Sequence, residues 1–443
     1  MARPDKQAVL LIHGIGEQRP MDTLRGFVRA VWTTDASLRY RNVGAGVYSK
    51  PDEVSGSYEL RRLTTARSRA SVRYPDGLRT DFYEFYWAHL MQGTTLGHVW
   101  NWMKQLLFRR PQDVPPALRG AWFLLIGLLL GAVYVAAQPM LPAFLQVLAL
   151  PVWMTSVGGL LLSSLVVPIL TSIAGDAARY LDASPANIGR RQAIRAKGVE
   201  ILNKLHACGE YERIIVVGHS LGSVIGYDLL TYAWPDYAGQ GDKQRPQPVL
   251  DELEDDVVAG ALTRDAYQAQ QRDLLDELQD DGVPWLVTDF VTLGSPLAHA
   301  AVLLAADEDD LCQKQEEREL PTCPPTLEPV GGASRFSYTP RDAPHRQLHH
   351  AAVFGPTRWT NLYFPAKVLV VGDLIGGPLA PVFGSGIRDL KVRTSLLGGL
   401  LSHTRYWTLE SDAEPGAHVE ALRAALRLLD AEQGEGCEGG TSA

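Results

Sequence analysis

The sequence predicts an α/β fold: a sheet with helices on both faces, interrupted by an inserted two-helix transmembrane hairpin and by a helical cap insertion. Three observations carry this. The run Arg213-Ile214-Ile215-Val216-Val217 passes through Gly218-His219-Ser220-Leu221-Gly222 into a helix-like stretch, Ser223 to Leu230. A second apolar run, Ala8 to Ile12, ends in His13-Gly14-Ile15-Gly16. Between them, from Gly120 to Gly175, there is no Asp, Glu, Lys, Arg or His. Short β-branched runs bounded by glycine turns read as buried strands.

A strand, Gly-x-Ser-x-Gly and a helix in succession give the serine a chemical meaning. Ser220 must sit on a turn so sharp that side chains two positions to either side would collide. Gly218 and Gly222 remove those side chains, and Gly226 lets the helix approach the sheet closely. The helix N-terminus then aims free N–H groups at any anion formed nearby. A chance turn between strand and helix would not require both the pentapeptide and its context. Gly14-Ile15-Gly16 also invites a dinucleotide-binding reading, but that motif needs a glycine at position 19, which is Arg19.

With these residues in view, the chain resembles the α/β-hydrolase superfamily, in particular its lipase- and esterase-like serine hydrolases. The resemblance covers roughly residues 8–32 and 213–409 and leaves the uncharged segment outside. It implies that Ser220 is a nucleophile and that the oxyanion-binding N–H groups belong to Ile15, or a neighbour in the His13-Gly14-Ile15-Gly16 turn, and to Leu221. It also implies the chain order serine, carboxylate, histidine. His403, in Leu401-Ser402-His403-Thr404-Arg405-Tyr406-Trp407, has the position and the His-x-x-Tyr-Trp neighbours of the family's histidine loop. His299 precedes every later carboxylate, His345, His349 and His350 fall in a stretch that reads as surface loop, and His418 begins the last helix. The family's Trp-x-Asn-x-Tyr strand followed by a loop Asp is matched by Trp359-Thr360-Asn361-Leu362-Tyr363 and Asp373. An apolar insertion, Ala366 to Val371, departs from that pattern. Asp373 is therefore the expected acid and Asp389 the alternative. The Gly294-Ser295-Pro296 turn resembles one that shapes the family's pocket.

The uncharged segment far exceeds the roughly 20 residues of a single membrane span. Pro139 and Pro142 divide it into 121–137 and 152–173, with Trp122 and Tyr134 near the ends of the first half. Lys104, Arg109, Arg110 and Arg119 precede it, and Arg179, Arg190, Arg191, Arg195 and Lys197 follow. Positive charge on both flanks predicts a hairpin whose two ends stay on the cytoplasmic side. The expected organisation is an N-terminal part of the core over 1–110, the hairpin over 111–180, and the rest of the core over 181–443.

Within that frame, 22–32, 187–206 and 415–431 read as helices, the last with Pro415 in its first turn. Ser71–Tyr74, 81–87, 286–292 and 358–364 read as strands, with Glu84 solvated. Carboxylates interspersed with leucines over 251–281 predict amphipathic helices capping the sheet within an insertion at about 240–282. The Pro- and Gly-containing stretch at 306–350 reads as a long loop. The net charge of −8 over 443 residues gives no electrostatic footprint for nucleic acid. The charged N-terminus leads straight into a strand, so no secretory signal is expected. Cys208, Cys312, Cys323 and Cys437 show neither zinc-ligand nor disulfide spacing. The expectation is a membrane-anchored, cytoplasm-facing hydrolase that cleaves lipid or other acyl esters with neither metal nor organic cofactor. Thioester substrates and a catalytically silent, partner-binding scaffold are the alternatives. Oligomeric state is left open.

Overall fold

The computed structural model describes residues 5–14, 19–39, 44, 46–91, 185–241, 245–260, 262–341, 346–365, 372–373, 375–392, 402–409, 411 and 415–430, with isolated positions between 111 and 180. The chain opens with β1 (Lys6–Ile12) and α1 (Asp22–Val28), which runs on through a π-helical turn, Arg29–Thr33. Strands β2 (Val47–Pro51), β3 (Arg61–Thr65) and β4 (Arg79–Phe85) follow. After the hydrophobic segment come α2 (Pro185–Ala207), β5 (Arg213–His219), α3 (Leu221–Ala238), α4 (Pro248–Ala259), α5 (Arg264–Asp280) and β6 (Val287–Leu293). Next are α6 (Glu308–Glu316) and the short strands β7 (Glu328–Val330), β8 (Ala333–Arg335), β9 (Ser337–Tyr338) and β10 (Gln347–Leu348). Then come β11 (Arg358–Tyr363), β12 (Arg388–Lys391) and α7 (Ala417–Leu426).

Eight strands form one mixed sheet in the order β12-β11-β6-β5-β1-β4-β3-β2. The six from β12 to β4 are parallel, and β3 and β2 close the edge antiparallel. The expected 1–110 and 181–443 parts thus contribute strands to a single sheet. Side chains of a strand alternate between faces. Ala8, Leu10 and Ile12 accordingly join the core formed with α2, α3, α4 and α5, whereas Val9 and Leu11 join the one formed with α1 and α7. Burial on both faces explains the continuous apolar runs Ala8 to Ile12 of β1 and Ile214 to Val217 of β5. From β5 the chain steps one way to β6 and β11, and from β1 the sheet continues the other way to β4. The carboxyl ends of β1 and β5 therefore flank a topological switch point, where open α/β sheets form their clefts.

One expectation falls on residues not described, and others change. The hairpin lies outside the described residues, among which no helix is long and apolar enough to cross a membrane. Ser71–Tyr74 is a turn, closed by the Ser71 N–H donating to the Tyr74 carbonyl at 3.0 Å, and the antiparallel partner of β4 is β3 instead, with β2 beyond it. The expected loop at 306–350 contains α6 and two small hairpins, pinned where Leu311, Cys323, Phe336 and Leu348 enter the main core. Pro415 precedes the last helix, whose N-cap is Gly416.

The 251–281 helices form, but they do not cap the cleft. Gln271 on α5 donates to the carbonyls of Phe354 and Thr357 at 2.7 and 2.9 Å, and Gln268 donates to that of Trp359 at 3.0 Å. Arg272 reaches Asp430 at 3.3 Å, and Asp430 also pairs with Arg213 and Arg358, which open β5 and β11. The insertion thus lies on the sheet face and toward the end where strands begin, away from Ser220. Its apolar stripe, Tyr267, Leu274, Leu275 and Leu278, is consumed by that packing.

Glu84, expected to be solvated, is 1% exposed, because both faces of β4 are covered. One carboxylate oxygen accepts the Met21 N–H at 2.9 Å, and burial pushes its pKa up to about 7 despite that bond, with Asp22 adding to the rise. A raised folded-state pKa gives a contribution that is complete below the unfolded value of 4.5 and is lost as pH rises through about 7. Melting temperature measured across about pH 5 to 8.5 should therefore fall more steeply in the wild type than in Glu84→Gln. The gap should approach roughly 3 kcal/mol in the variant's favour. Parallel curves would show that Glu84 is not the group responsible.

Candidate active site

Ser220 joins β5 to α3 with φ 54° and ψ −129°, a strained conformation for a residue with a side chain. The strain is held from several sides. The Ser220 N–H donates to the Leu293 carbonyl at 2.9 Å, and the Ser223 N–H returns to the Ser220 carbonyl at 2.9 Å. Ser223 Oγ lies 2.5 Å from that carbonyl and 2.7 Å from Ser295 Oγ, fastening the elbow to the turn after β6. A Cβ on Gly218 would stand 2.5 Å from Ser223 Cα, and one on Gly222 would run into the carbonyl oxygens of Ile12 and His13. Both glycines are thus demanded by close approach of backbone. Leu221 opens α3, so no helical carbonyl accepts its N–H.

His403 arrives on the turn Ser402–Thr404. Its Nε2 lies 2.8 Å from Ser220 Oγ and its Nδ1 2.9 Å from Asp373 Oδ2. A carboxylate only accepts, so Nδ1 carries the proton and Nε2 is left to accept from the serine hydroxyl. The structure thus brings Ser220, His403 and Asp373 into one hydrogen-bonded line from three distant parts of the chain. Along it a proton can pass from the serine oxygen to the imidazole while the carboxylate stabilises the cation formed.

Asp373 lies beyond the end of β11, and its side chain is fully buried. Oδ1 accepts the N–H groups of Ile375 and Gly376 at 2.9 and 3.0 Å, and Oδ2 accepts the Tyr406 hydroxyl at 2.8 Å as well as His403. Burial pushes the carboxyl pKa up, but the bond and charge of His403, with the Gly376 and Tyr406 donors, outweigh it and hold it below the usual value. The alternative acid, Asp389, is used elsewhere. It accepts Asn361 Nδ2 at 2.7 Å and the N–H groups of Leu379 and Ala380 at 2.9 Å each, bracing the loop that follows Asp373.

The turn after β1 abuts the serine: a Cβ on Gly14 would lie 2.8 Å from Ser220 Cβ. His13 is stacked on Trp87 at 5.2 Å and donates from Nδ1 to the Gly14 carbonyl at 2.7 Å. Burial lowers its pKa to about 4, so it is a neutral brace for the turn. Ile15 and Gly16 lie outside the described residues. His219 is likewise buried and neutral, its pKa lowered to about 3 by burial and by His403, and its Nε2 lies 2.7 Å from the His403 carbonyl.

The remaining histidines are placed elsewhere. His349 is buried rather than on a surface loop, with Nε2 3.0 Å from the Thr326 carbonyl, and His350 is exposed. His418 meets the Thr408 carbonyl at 2.8 Å, His299 sits in the turn Pro296–His299, and His345 lies outside the described residues. Two contributors went unassigned in the sequence. Tyr406 was visible only as part of the His-x-x-Tyr-Trp spacing. Gly294 has φ 57°, and a Cβ there would lie 2.7 Å from both Asp373 Oδ2 and the Tyr406 ring. The Gly-Ser-Pro turn therefore makes room for the acid. Among the described residues no cluster of His, Cys, Asp or Glu is arranged to hold a metal ion, and Cys208, Cys312 and Cys323 are free thiols. Compared with models of protein families, with curated proteins and with solved structures, the chain matches none.

Proposed function

We propose that this protein is a serine hydrolase of the α/β-hydrolase type that cleaves carboxylic esters. The observation that carries the reading is the Ser220–His403–Asp373 line beginning at a strained elbow, at the carboxyl end of a central strand. Ser220 Oγ attacks the ester carbonyl carbon and gives its proton to His403 Nε2, while Asp373 holds the imidazolium. The oxyanion faces the Leu221 N–H and the turn after His13-Gly14, in the place proposed for Ile15; one such donor is worth about 10²- to 10³-fold in rate. Collapse breaks the ester C–O bond, and the leaving alkoxide takes the proton from His403. Water, deprotonated by the same histidine, then cleaves the acyl-enzyme and restores Ser220. No step draws on a metal or an organic cofactor.

The substrate class follows from the uncharged segment 120–175, which supports a membrane hairpin with both ends cytoplasmic. An active site tethered to a bilayer meets lipid esters at high effective concentration. Incubating the purified protein with a total lipid extract should release fatty acids detectable by mass spectrometry, with none above background from Ser220→Ala. Release of acids only from added thioesters would replace the lipid-ester reading with the thioesterase one.

Replacing residues 121–173 with a short Gly/Ser linker should free the protein from membranes washed with carbonate. Turnover of a short soluble ester should persist, and turnover of bilayer-embedded lipid should fall about ten-fold or more. A wild-type protein that stays in solution without detergent would contradict the anchor.

A further inference from the structure

We infer that Tyr406 is a positioning residue for Asp373, its hydroxyl fixing the direction and the available charge of the carboxylate that holds His403; this rests on the serine hydrolase reading. Tyr406 is fully buried, and its hydroxyl does two things. It accepts the Phe364 N–H at 3.3 Å, just past the end of β11, and it donates to Asp373 Oδ2 at 2.8 Å. The ring packs on Phe364 at 4.7 Å, and the bare Cα of Gly294 leaves it room. The tyrosine therefore links the 402–409 segment to the sheet through a contact separate from that of His403.

The donor count gives this link a chemical consequence. Asp373 accepts two backbone N–H groups on Oδ1, whereas Oδ2 is shared by His403 Nδ1 and the Tyr406 hydroxyl. Two donors on one oxygen divide its charge, so the tyrosine moderates how strongly the carboxylate favours the imidazolium. Burial and the adjacent carboxylate raise the tyrosine pKa well above its ordinary value, so the hydroxyl keeps its proton. Removing the hydroxyl leaves the carboxylate more charge to offer the imidazolium, and the neutral imidazole needed for attack then forms only at higher pH. A tyrosine that merely fills the core would leave this balance untouched.

The test is the pH dependence of hydrolysis of a soluble p-nitrophenyl ester by the full-length wild type and Tyr406→Phe. The acid limb of kcat/KM should move up by roughly half to one pH unit, with kcat about ten-fold lower and KM unchanged. Incorporating 3-fluorotyrosine at position 406 keeps the shape and strengthens the donor, so the limb should move down. An unmoved limb in both variants overturns the inference, and if Tyr406→Phe does not fold the fluorinated variant decides alone. Labelling of wild-type Ser220 by a fluorophosphonate separates the two levels. A labelled enzyme with an unmoved limb sinks only the role of Tyr406. A wild type that neither labels nor turns over ester sinks the hydrolase reading and this inference with it.

Discussion

Ser220→Ala should lower ester turnover by about 10⁴- to 10⁶-fold while leaving the fold intact. In the proposed mechanism the hydroxyl is the one group in the line that forms a bond to the substrate, and it lies 2.8 Å from His403 Nε2. Alanine keeps the Cβ that packs against the turn after β1, so the elbow should be undisturbed, and loss of strain at φ 54° is not expected because alanine also carries a Cβ. Initial rates on a soluble ester, with the melting temperature as the control for folding, check this. Residual activity above roughly a tenth of wild type, far beyond that expectation, would mean that the nucleophile lies elsewhere.

His403→Ala should be nearly as damaging, and Asp373→Ala somewhat milder, since members of a triad act as a unit and the acid acts through the histidine. The two candidate acids should now part company. Asp373 touches His403, whereas Asp389 accepts from Asn361, Leu379 and Ala380. Asp389→Ala should therefore lower the melting temperature by loosening the loop after Asp373, with kcat falling far less than in Asp373→Ala. His349→Ala should destabilise through lost buried hydrogen bonds and leave kcat of the folded fraction near wild type. An inactive Asp389→Ala beside an active Asp373→Ala would transfer the acid to position 389.

The central strands β1 and β5 were legible because a sheet covered on both faces favours apolar runs, and Val9 to Ile12 and Ile214 to Val217 supply them; β6 breaks its run with Thr288 and with Asp289, which is buried against Arg213 and Arg358. The edge strands were not. Val47-Tyr48-Ser49-Lys50-Pro51 and Arg388-Asp389-Leu390-Lys391 carry charge because edge positions tolerate it, and their pairing is a tertiary fact. Glu84 misled for the opposite reason: a carboxylate between aromatics reads as a solvent-facing residue, yet β4 has a helix start on its outer face and a backbone N–H to offer. The segment 306–350 misled through its Pro and Gly content. Strands of two or three residues carry no periodicity, and they are held by single anchors such as Phe336, whose N–H donates to the buried Glu254 at 3.0 Å.

At the site, Ser220 was announced by its own motif, since Gly218 and Gly222 are both needed where backbones meet. His403 and Asp373 were placed by resemblance and chain order, and the geometry that sets them beside Ser220 depends on loops whose spacing alone says little. The Tyr406 hydroxyl and Gly294 could be recognised only once the end of β11, the turn after β6 and the histidine loop were seen together.

The most direct measurement of the central claim is peptide mapping by mass spectrometry after reaction with a fluorophosphonate. The account predicts one phosphonyl group per chain, on the peptide containing Ser220, formed rapidly by the wild type. His403→Ala should form it slowly, and Ser220→Ala not at all. A wild-type chain left unmodified, or modified on a different serine while Ser220 stays free, would contradict it.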